Sequence, residues 1–408
     1  MRYRHIAIAI PMLAELDNLP ELFESLMHQS FSDFTVYCCV NNPEGWAQSG
    51  NDIEQAMYRN NQASLTHLHH LAEKMHQGPS ALHIIDRSSP GKGWEPKRRG
   101  VGWARKTLME SIAKHHDDDT LIVSLDADTA ISTTYLASVA DRMNTHPSHN
   151  ALCVPYYHPL SGDTDQDRAM LRYEVYMRHY LLSLLESGNP YAFTALGSAM
   201  VFPLWAYRRV GGYTPLQGGE DFYLMQKFAK TGKMLLDCSE TVRPQGRPSM
   251  RVPFGTGPAI AKGIDSLSAA YPLFPAEGFQ AVADTYATFP NLYDNDIETP
   301  MTPFLQQQLR TDDLWQPLRN NFKTRELFVH ACHERVDGLR ILQFLKSFNL
   351  RPAEEEMRQW GTRHQLSVKE DLNFTTSPIA ELNQLRNSMF ELEAKLRRHC
   401  DNSRRNNL

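Results

Sequence analysis

Short apolar runs and amphipathic stretches alternate through about the first 240 residues of the chain. The apolar runs predict strands at residues 5–10, 34–40, 82–85, 121–125, 151–154 and 193–202. Apolar residues at helical spacing, flanked by capping and terminating residues, predict helices at 19–29, 52–75, 101–114, 168–185 and 220–230. Because strands and helices alternate, we expect an α/β domain that opens with a strand–helix–strand unit.

The pattern changes after residue 240. Residues 243–257 combine arginine with proline, glycine and serine, which predicts a loop, and we expect irregular structure from there to about residue 313. Helical spacing then returns and predicts helices at 324–349, 352–364 and 378–399. We therefore expect three parts: a sheet domain, an irregular loop region over the site and a helical C-terminal extension, at residues 1–240, 241–323 and 324–408.

The last predicted helix carries an apolar stripe. Its members are Leu382, Leu385, Met389, Leu392 and Leu396. Such a stripe fits core packing first, and a homodimer or partner contact through this helix stays open as a second interpretation.

Composition narrows the class of protein. The chain has 408 residues, of which 41% are hydrophobic and 22% charged, as in soluble globular proteins. The net charge of −5 gives no overall attraction for nucleic acid. The six cysteines form no CxxC pair, and no run of 18 apolar residues occurs. We therefore expect a cytoplasmic protein with reduced thiols and no membrane span.

Two carboxylates, Asp126 and Asp128, follow the apolar run at 121–125 with one alanine between them. Alternate residues of an extended chain project to one side, so both carboxylates leave the strand end in the same direction. Neighbouring carboxylates repel each other unless a cation lies beside them, and a hard divalent ion such as Mn or Mg suits their oxygens. Ligands of open α/β sheets bind beyond the carboxyl ends of parallel strands, where Pro11 and Asn42 also lie. The pattern suggests a metal-held diphosphate.

The joint order of several short motifs resembles the family-two glycosyltransferases of the GT-A fold. The motifs are Ile8-Ala-Ile-Pro11 with Glu15 and Asn18-Leu19, Gln29-Ser-Phe-Ser-Asp33, Gly102-Trp-Ala-Arg105, Ser124-Leu-Asp-Ala-Asp128, and Gly211-Gly-Tyr213 followed by Gly219-Glu-Asp221. The resemblance covers about residues 5–240. It implies an α/β fold with a Rossmann-like mixed sheet flanked by helices, as in transferases that use nucleotide-diphosphate sugars.

The resemblance also implies roles for the acidic residues. Asp128 would coordinate the metal directly, and Asp126 would contact the metal or the ribose. Asp221 would be the base that deprotonates the acceptor hydroxyl, with Glu220 binding or orienting the acceptor. A helix-capping role stays open for Asp221.

Donor binding is expected from a second set of residues. By the resemblance, Pro11, Glu15 and Asn42 lie where the family grips the base and ribose, although strand-end proline and asparagine also simply form turns. Arg105 matches a family position near the nucleotide. From the chemistry of guanidinium groups, we expect Arg247 and Arg251 on a mobile loop to close over the diphosphate.

Processive members of the family carry a Gln-x-x-Arg-Trp motif. Here Gln307 and Arg310 have that spacing, but Thr311 stands where the tryptophan would be. The resemblance therefore favours the non-processive type, which transfers single sugars.

The sequence as a whole predicts a metal-dependent, inverting hexosyltransferase. It would move a sugar from a nucleoside-diphosphate donor to a hydroxyl of a glycan or lipid-linked acceptor during surface glycan biosynthesis, with a peripheral membrane contact left open. Two enzyme alternatives stay open, a retaining glycosyltransferase and a sugar nucleotidyltransferase. A noncatalytic module that binds nucleotide sugars or glycans is the alternative from another class.

Overall fold

The computed structural model of the protein describes residues 2–75, 80–95, 97–236, 238–249, 255–265 and 273–406, with side chains as far as residue 401. Nine strands are described: β1 Ile6–Met12, β2 Phe34–Asn41, β3 Ala81–Arg87, β4 Leu121–Ser124, β5 Thr129–Ala130, β6 Ala151–Cys153, β7 Met200–Pro203, β8 Met234–Leu235 and β9 Arg243–Pro244.

The helices in the described parts of the chain are α1 Leu19–Met27, α2 Asp52–Met75, α3 Val101–His115, α4 Tyr135–Thr145, α5 Thr164–Glu186, α6 Leu204–Arg209, α7 Glu220–Thr231, α8 Thr256–Asp265, α9 Ala276–Thr288, α10 Thr302–Leu309, α11 Gln316–Asn321, α12 Arg325–Arg335, α13 Gly338–Leu345, α14 Ala353–Arg363 and α15 Ile379–Asn406.

These elements group into two compact units. The first contains Met1–Asp163 and Ala195–Ala261, and the second contains Thr164–Thr194 and Lys262–Leu408. The division of the chain into domains at residues 240 and 323 stays a prediction. In the described residues, no helix combines the length and the apolar character that a membrane crossing requires.

A seven-stranded mixed sheet forms the centre of the first unit, in the order β3-β2-β1-β4-β7-β6-β8. Strands β3, β2, β1 and β4 are parallel, whereas β7 runs antiparallel to both of its neighbours. Every residue of β1, β2 and β4 is buried, as expected for parallel strands with both faces covered. The predicted fold class, a Rossmann-like α/β mixed sheet flanked by helices with a helical C-terminal extension, is confirmed.

Several predicted boundaries are wrong. Strand β1 continues through Pro11 to Met12, because the parallel pairing with β2 extends to that residue. The predicted strand at 193–202 is shorter, since only Met200–Pro203 pairs with β4. Residues 135–145 form a helix that the sequence reasoning missed.

The stretch expected to be irregular contains helices α8, α9 and α10. Proline immediately precedes α9 and is the second residue of α10, positions where its missing N–H costs nothing. The prolines interpreted as signs of irregular structure are therefore helix-start signals. The single helix predicted at 324–349 is divided at Asp337, whose carboxylate caps α13 by accepting a hydrogen bond from the Arg340 N–H at 3.1 Å.

Helices α5 and α15 pack together in the second unit. Leu382, Leu385 and Met389 of the apolar stripe are buried there, in agreement with core packing, while Leu392 and Leu396 are partly exposed. Ion pairs are buried beside this stripe: Glu174 with Arg178 at 2.7 Å, Glu174 with Arg386 at 3.2 Å, and Glu393 with Arg397 at 2.6 Å. The homodimer interpretation stays untested.

Candidate active site

The chain turns sharply where β4 ends, and this turn presents both predicted metal ligands. The Leu125 N–H still bonds to the Ala9 carbonyl at 3.1 Å, which continues the sheet pairing by one residue. The chain then turns, with the Thr129 N–H donating to the Asp126 carbonyl at 3.2 Å. The Asp126 side chain is 36% exposed and that of Asp128 is 17% exposed, so both carboxylates remain accessible.

Arg105 connects this turn to the start of helix α7. It projects from α3, is only 2% exposed, and makes three side-chain hydrogen bonds. Its Nη2 donates to Asp126 Oδ1 at 2.6 Å, its Nη1 to Ser124 Oγ at 2.6 Å, and its Nε to Glu220 Oε1 at 3.0 Å. One guanidinium group therefore fixes the carboxylate of Asp126 relative to that of Glu220.

The surroundings of Arg105 stabilise its protonated form. Burial acts to lower the pKa of Arg105, but Asp126 and the other acidic neighbours raise it by more. Gly197 leaves the room that the guanidinium needs, because a Cβ at this position would lie 2.1 Å from Arg105 Nη2. The position of Arg105 near the nucleotide stays a prediction, and the structure shows its guanidinium between Asp126 and Glu220.

Glu220 and Asp221 form the first turn of α7, after Gly219 with φ of 78°. Glu220 is 3% exposed, and burial raises its pKa despite the opposing effect of Arg105. Asp221 is partly exposed, and its Oδ1 accepts a hydrogen bond from the Phe222 N–H at 2.7 Å. Burial, together with the neighbouring Glu220 carboxylate, raises the pKa of Asp221 to about 7. The raised pKa makes Asp221 a stronger base than an ordinary aspartate.

Arg247 makes a second bridge between carboxylates. Its Nη2 lies 2.5 Å from Glu15 Oε2 and 3.1 Å from Asp128 Oδ2. Burial acts to lower the pKa of Arg247, but Glu15 and Asp128 raise it above the usual value. The side chain remains 31% exposed, so it can also reach a ligand at the surface of the site.

Short antiparallel pairing explains why Arg247 reaches Asp128. Strand β9 pairs with β5, directly after the acidic turn. The Gln245 N–H then donates to the Asp128 carbonyl at 3.1 Å. The loop predicted to carry Arg247 is thus tied to the sheet unit at this point. Arg251, the other predicted arginine, lies outside the described residues.

The remaining predicted donor-binding residues are buried. Pro11 pairs with Cys39 inside the sheet. Asn42 is 2% exposed, and its Oδ1 accepts hydrogen bonds from Asn61 at 2.9 Å and from Ser88. Both residues therefore shape the strand ends in this structure.

Asn61 is a residue that the sequence reasoning missed. It is fully buried on α2, and its Oδ1 accepts from the Ala14 N–H at 2.8 Å. Its Nδ2 donates to the Asn41 carbonyl at 3.0 Å. A single amide thus ties the loop after β1 to the end of β2. The sequence signal is weak, because Asn61 is one polar residue among many on that helix.

The donor chemistry of the acidic turn fits a hard divalent cation. Carboxylate oxygens suit Mg and Mn, and Mg in particular is commonly held by one or two carboxylates plus phosphate oxygens and water. Among the described residues, no group of three or more His, Cys, Asp and Glu side chains is arranged to hold a metal. Asp126 and Asp128 would therefore supply part of a coordination sphere.

Comparisons with known proteins give only distant matches. No family model matches the chain, and no curated protein does. The chain is similar to TarS 1–349 from S. aureus, with 13% identity, a TM-score of 0.40, and coverage of 81% of this chain and 90% of that one. The complex of TarS 1–349 with UDP shows 11% identity, a TM-score of 0.39, and coverage of 90% and 94%.

A further similar structure is the mannosyltransferase PcManGT from Pyrobaculum calidifontis in complex with GDP-Man and Mn²⁺. It shows 14% identity, a TM-score of 0.39, and coverage of 97% of this chain and 87% of that chain. Matches at this level give no evidence about the activity of this chain. The proposed activity therefore rests on the geometry of the site.

Proposed function

We propose that this protein is an inverting glycosyltransferase that moves a sugar from a nucleoside-diphosphate donor to a hydroxyl acceptor. The observation that carries this proposal is the bridge through Arg105, which holds Asp126 and Glu220 on one guanidinium group. The bridge brings a carboxylate turn suited to a diphosphate and its cation into one site with an acidic pair suited to an acceptor hydroxyl.

The acidic turn would serve the donor. Asp126 and Asp128 would hold a divalent cation, Mn or Mg, which when bound offsets the charge that develops on the leaving diphosphate. Arg247 would add a guanidinium that matches phosphate oxygens in a bidentate way. Glu15 orients Arg247 through the contact of 2.5 Å.

The acidic pair would serve the acceptor. Asp221 would take the proton of the acceptor hydroxyl while that oxygen forms its bond to the anomeric carbon. The bond between this carbon and the diphosphate oxygen breaks, and the nucleoside diphosphate leaves on the opposite face, which inverts the configuration. A base with a pKa near 7 is suited to this step, because it is available as carboxylate yet still accepts a proton. Glu220, fixed by Arg105, would position the acceptor.

The finer features of the proposal follow the sequence. Thr311 at the position of the processive tryptophan supports transfer of single sugars. We propose a role in assembling surface glycans, on a glycan or lipid-linked acceptor.

A donor screen tests this function. Thermal shifts would be measured with UDP, GDP, CDP and dTDP sugars in the presence of Mn²⁺, and sugar transfer would then be followed with the donor that stabilises the protein. We expect one base to stabilise the protein, and turnover to stop when EDTA is added. Full activity in excess EDTA would remove the metal role, and binding without transfer or hydrolysis of any donor would favour a noncatalytic module.

A further inference from the structure

Three consecutive cations, Lys97, Arg98 and Arg99, lie exposed just before helix α3. In the part of the chain that the structure describes, none of their side chains has a carboxylate partner. Some other arginines of the same unit do pair, among them Arg2 with Asp119, Arg208 with Asp118, and Arg247 with Glu15. Three adjacent exposed cations concentrate positive charge on one short segment of a protein whose net charge is −5, and such a patch attracts anions.

An aromatic side chain contacts one member of this run. Trp103 lies in the first turn of α3, and the Arg98 guanidinium is 5.7 Å from the centroid of its ring. Lys106 approaches the same ring, with Nζ at 5.4 Å. Cation–π contacts of this kind restrict flexible side chains while the charges stay accessible to solvent. We call Lys97, Arg98, Arg99, Trp103 and Lys106 the basic face.

The basic face lies at the start of α3, next to the loop that leads into the acidic pair of α7. The Gly102 N–H donates to the Leu216 carbonyl at 3.1 Å, and a Cβ on Gly102 would lie 2.3 Å from that oxygen. The start of α3 is therefore held closely against the loop that leads into Glu220 and Asp221. Arg105, on the same helix, contacts Glu220 directly at 3.0 Å.

We propose that the basic face binds a polyanionic acceptor, a glycan chain that carries phosphate or carboxylate groups. This inference rests on the proposed function and names the chemical class of its acceptor. The guanidinium groups of Arg98 and Arg99 match phosphate or carboxylate oxygens in a bidentate way. A chain held there would place its terminal hydroxyl toward Asp221, while its anionic groups neutralise the run of cations.

Direct binding measurements test the basic face without requiring turnover. Inorganic polyphosphate and polygalacturonate serve as the phosphate and carboxylate probes, and neutral dextran serves as the uncharged control. Three proteins are compared over a range of salt concentrations: the wild type, the triple variant K97Q/R98Q/R99Q, and a matched control variant K323Q/K395Q/R398Q, which removes three exposed cations elsewhere.

We expect the wild type and the control variant to bind at least one polyanion and not dextran. The triple variant should lose about tenfold or more in affinity, and the slope of log K against log salt should fall by about two to three, since each cation removed contributes a little less than one. The affinities for UDP and GDP with Mn²⁺ should be the same in all three proteins. The probe that binds more tightly identifies phosphate or carboxylate as the recognised group.

Equal polyanion binding by the wild type and the triple variant would overturn the inference. A loss of UDP or GDP affinity in the triple variant would also overturn it, because the cations would then serve the donor. If the polyanion results are as expected but no nucleotide binds and no sugar is transferred, the proposed function fails and the acceptor role with it.

Discussion

The bridge through Arg105 predicts a measurable coupling with Gly197. In Arg105→Ala, the carboxylate of Glu220, which is 3% exposed, loses its cation. Breaking a buried ion pair by removing one partner costs about 3–5 kcal/mol. The lost contact with Asp126 adds little to this cost, because the Asp126 side chain is 36% exposed and water replaces the guanidinium. Arg208→Ala is the matched control, since its partner Asp118 is 60% exposed and the loss is about 0–1 kcal/mol.

Gly197→Ala probes the same guanidinium from the other side. The added Cβ would lie 2.1 Å from Arg105 Nη2, and three hydrogen bonds hold that group in place. Overpacking of this kind costs about 1–3 kcal/mol. In an Arg105→Ala background the space is vacated, so Gly197→Ala should become nearly neutral. The double-mutant cycle should therefore give a coupling energy of about 1–3 kcal/mol.

Amide hydrogen exchange measures these energies within the first unit alone. Peptides that cover β1 and β4 report the free energy of opening of the sheet around Arg105. If Gly197→Ala costs the same in both backgrounds, the close approach of Gly197 to the guanidinium is refuted. If Arg105→Ala opens within about 1 kcal/mol of the wild type, the buried bridge itself is refuted.

Three further predictions address the chemistry and the fold. Asp221→Asn should lower turnover by about 10²–10⁴-fold with unchanged nucleotide affinity. The wild-type rate should rise with pH through about 7 as Asp221 loses its proton. A rate that stays level between about pH 6 and 8 would contradict the assignment of Asp221 as the base. Arg247→Gln should weaken nucleoside-diphosphate binding by about tenfold or more in calorimetry, whereas Arg243→Gln, at an exposed neighbouring position, should have no effect. Burial and the neighbouring histidines lower the pKa of His116 to about 4, so its contribution to stability is full above about pH 6.5 and declines as pH falls toward 4. In denaturation experiments the free energy of unfolding should fall by about 1–2 kcal/mol by pH 5, and by less in His116→Asn. An unchanged pH dependence in that variant would exclude His116 as the cause.

Local patterns were sufficient to predict much of the sheet unit. The continuous apolar runs of β1, β2 and β4 predicted buried strands because parallel strands with covered faces have no polar side. The spacing of apolar residues also predicted α2 with its observed bounds, Asp52–Met75. The acidic pairs lie where the strand and helix predictions placed them, one after β4 and the other at the start of α7.

Long-range contacts could not be predicted in the same way. Arg105 and Glu220 are 115 positions apart, and nothing in the local pattern of either residue indicates the other. The missing Cβ of Gly197 matters only once Arg105 lies beside it. The same holds for a cluster at the amino ends of the strands, where His5 stacks on His116 with ring centroids 4.7 Å apart and the hydroxyl of Tyr37 lies 2.9 Å from His116 Nε2.

The central claim is that the carboxylate turn serves the donor and that Asp221 serves the acceptor. Comparing donor cleavage by the wild type and by Asp221→Asn tests this claim most directly. Nucleotide-sugar donors with Mn²⁺ would be followed by proton NMR, with water standing in for the acceptor and with Asp118→Asn as an exposed control of the same chemical change. We predict that the wild type and the control release nucleoside diphosphate and a sugar of inverted configuration. Asp221→Asn should bind the same donor with unchanged affinity and release almost none. Release by Asp221→Asn at the wild-type rate, or a retained configuration in the product, would contradict the account.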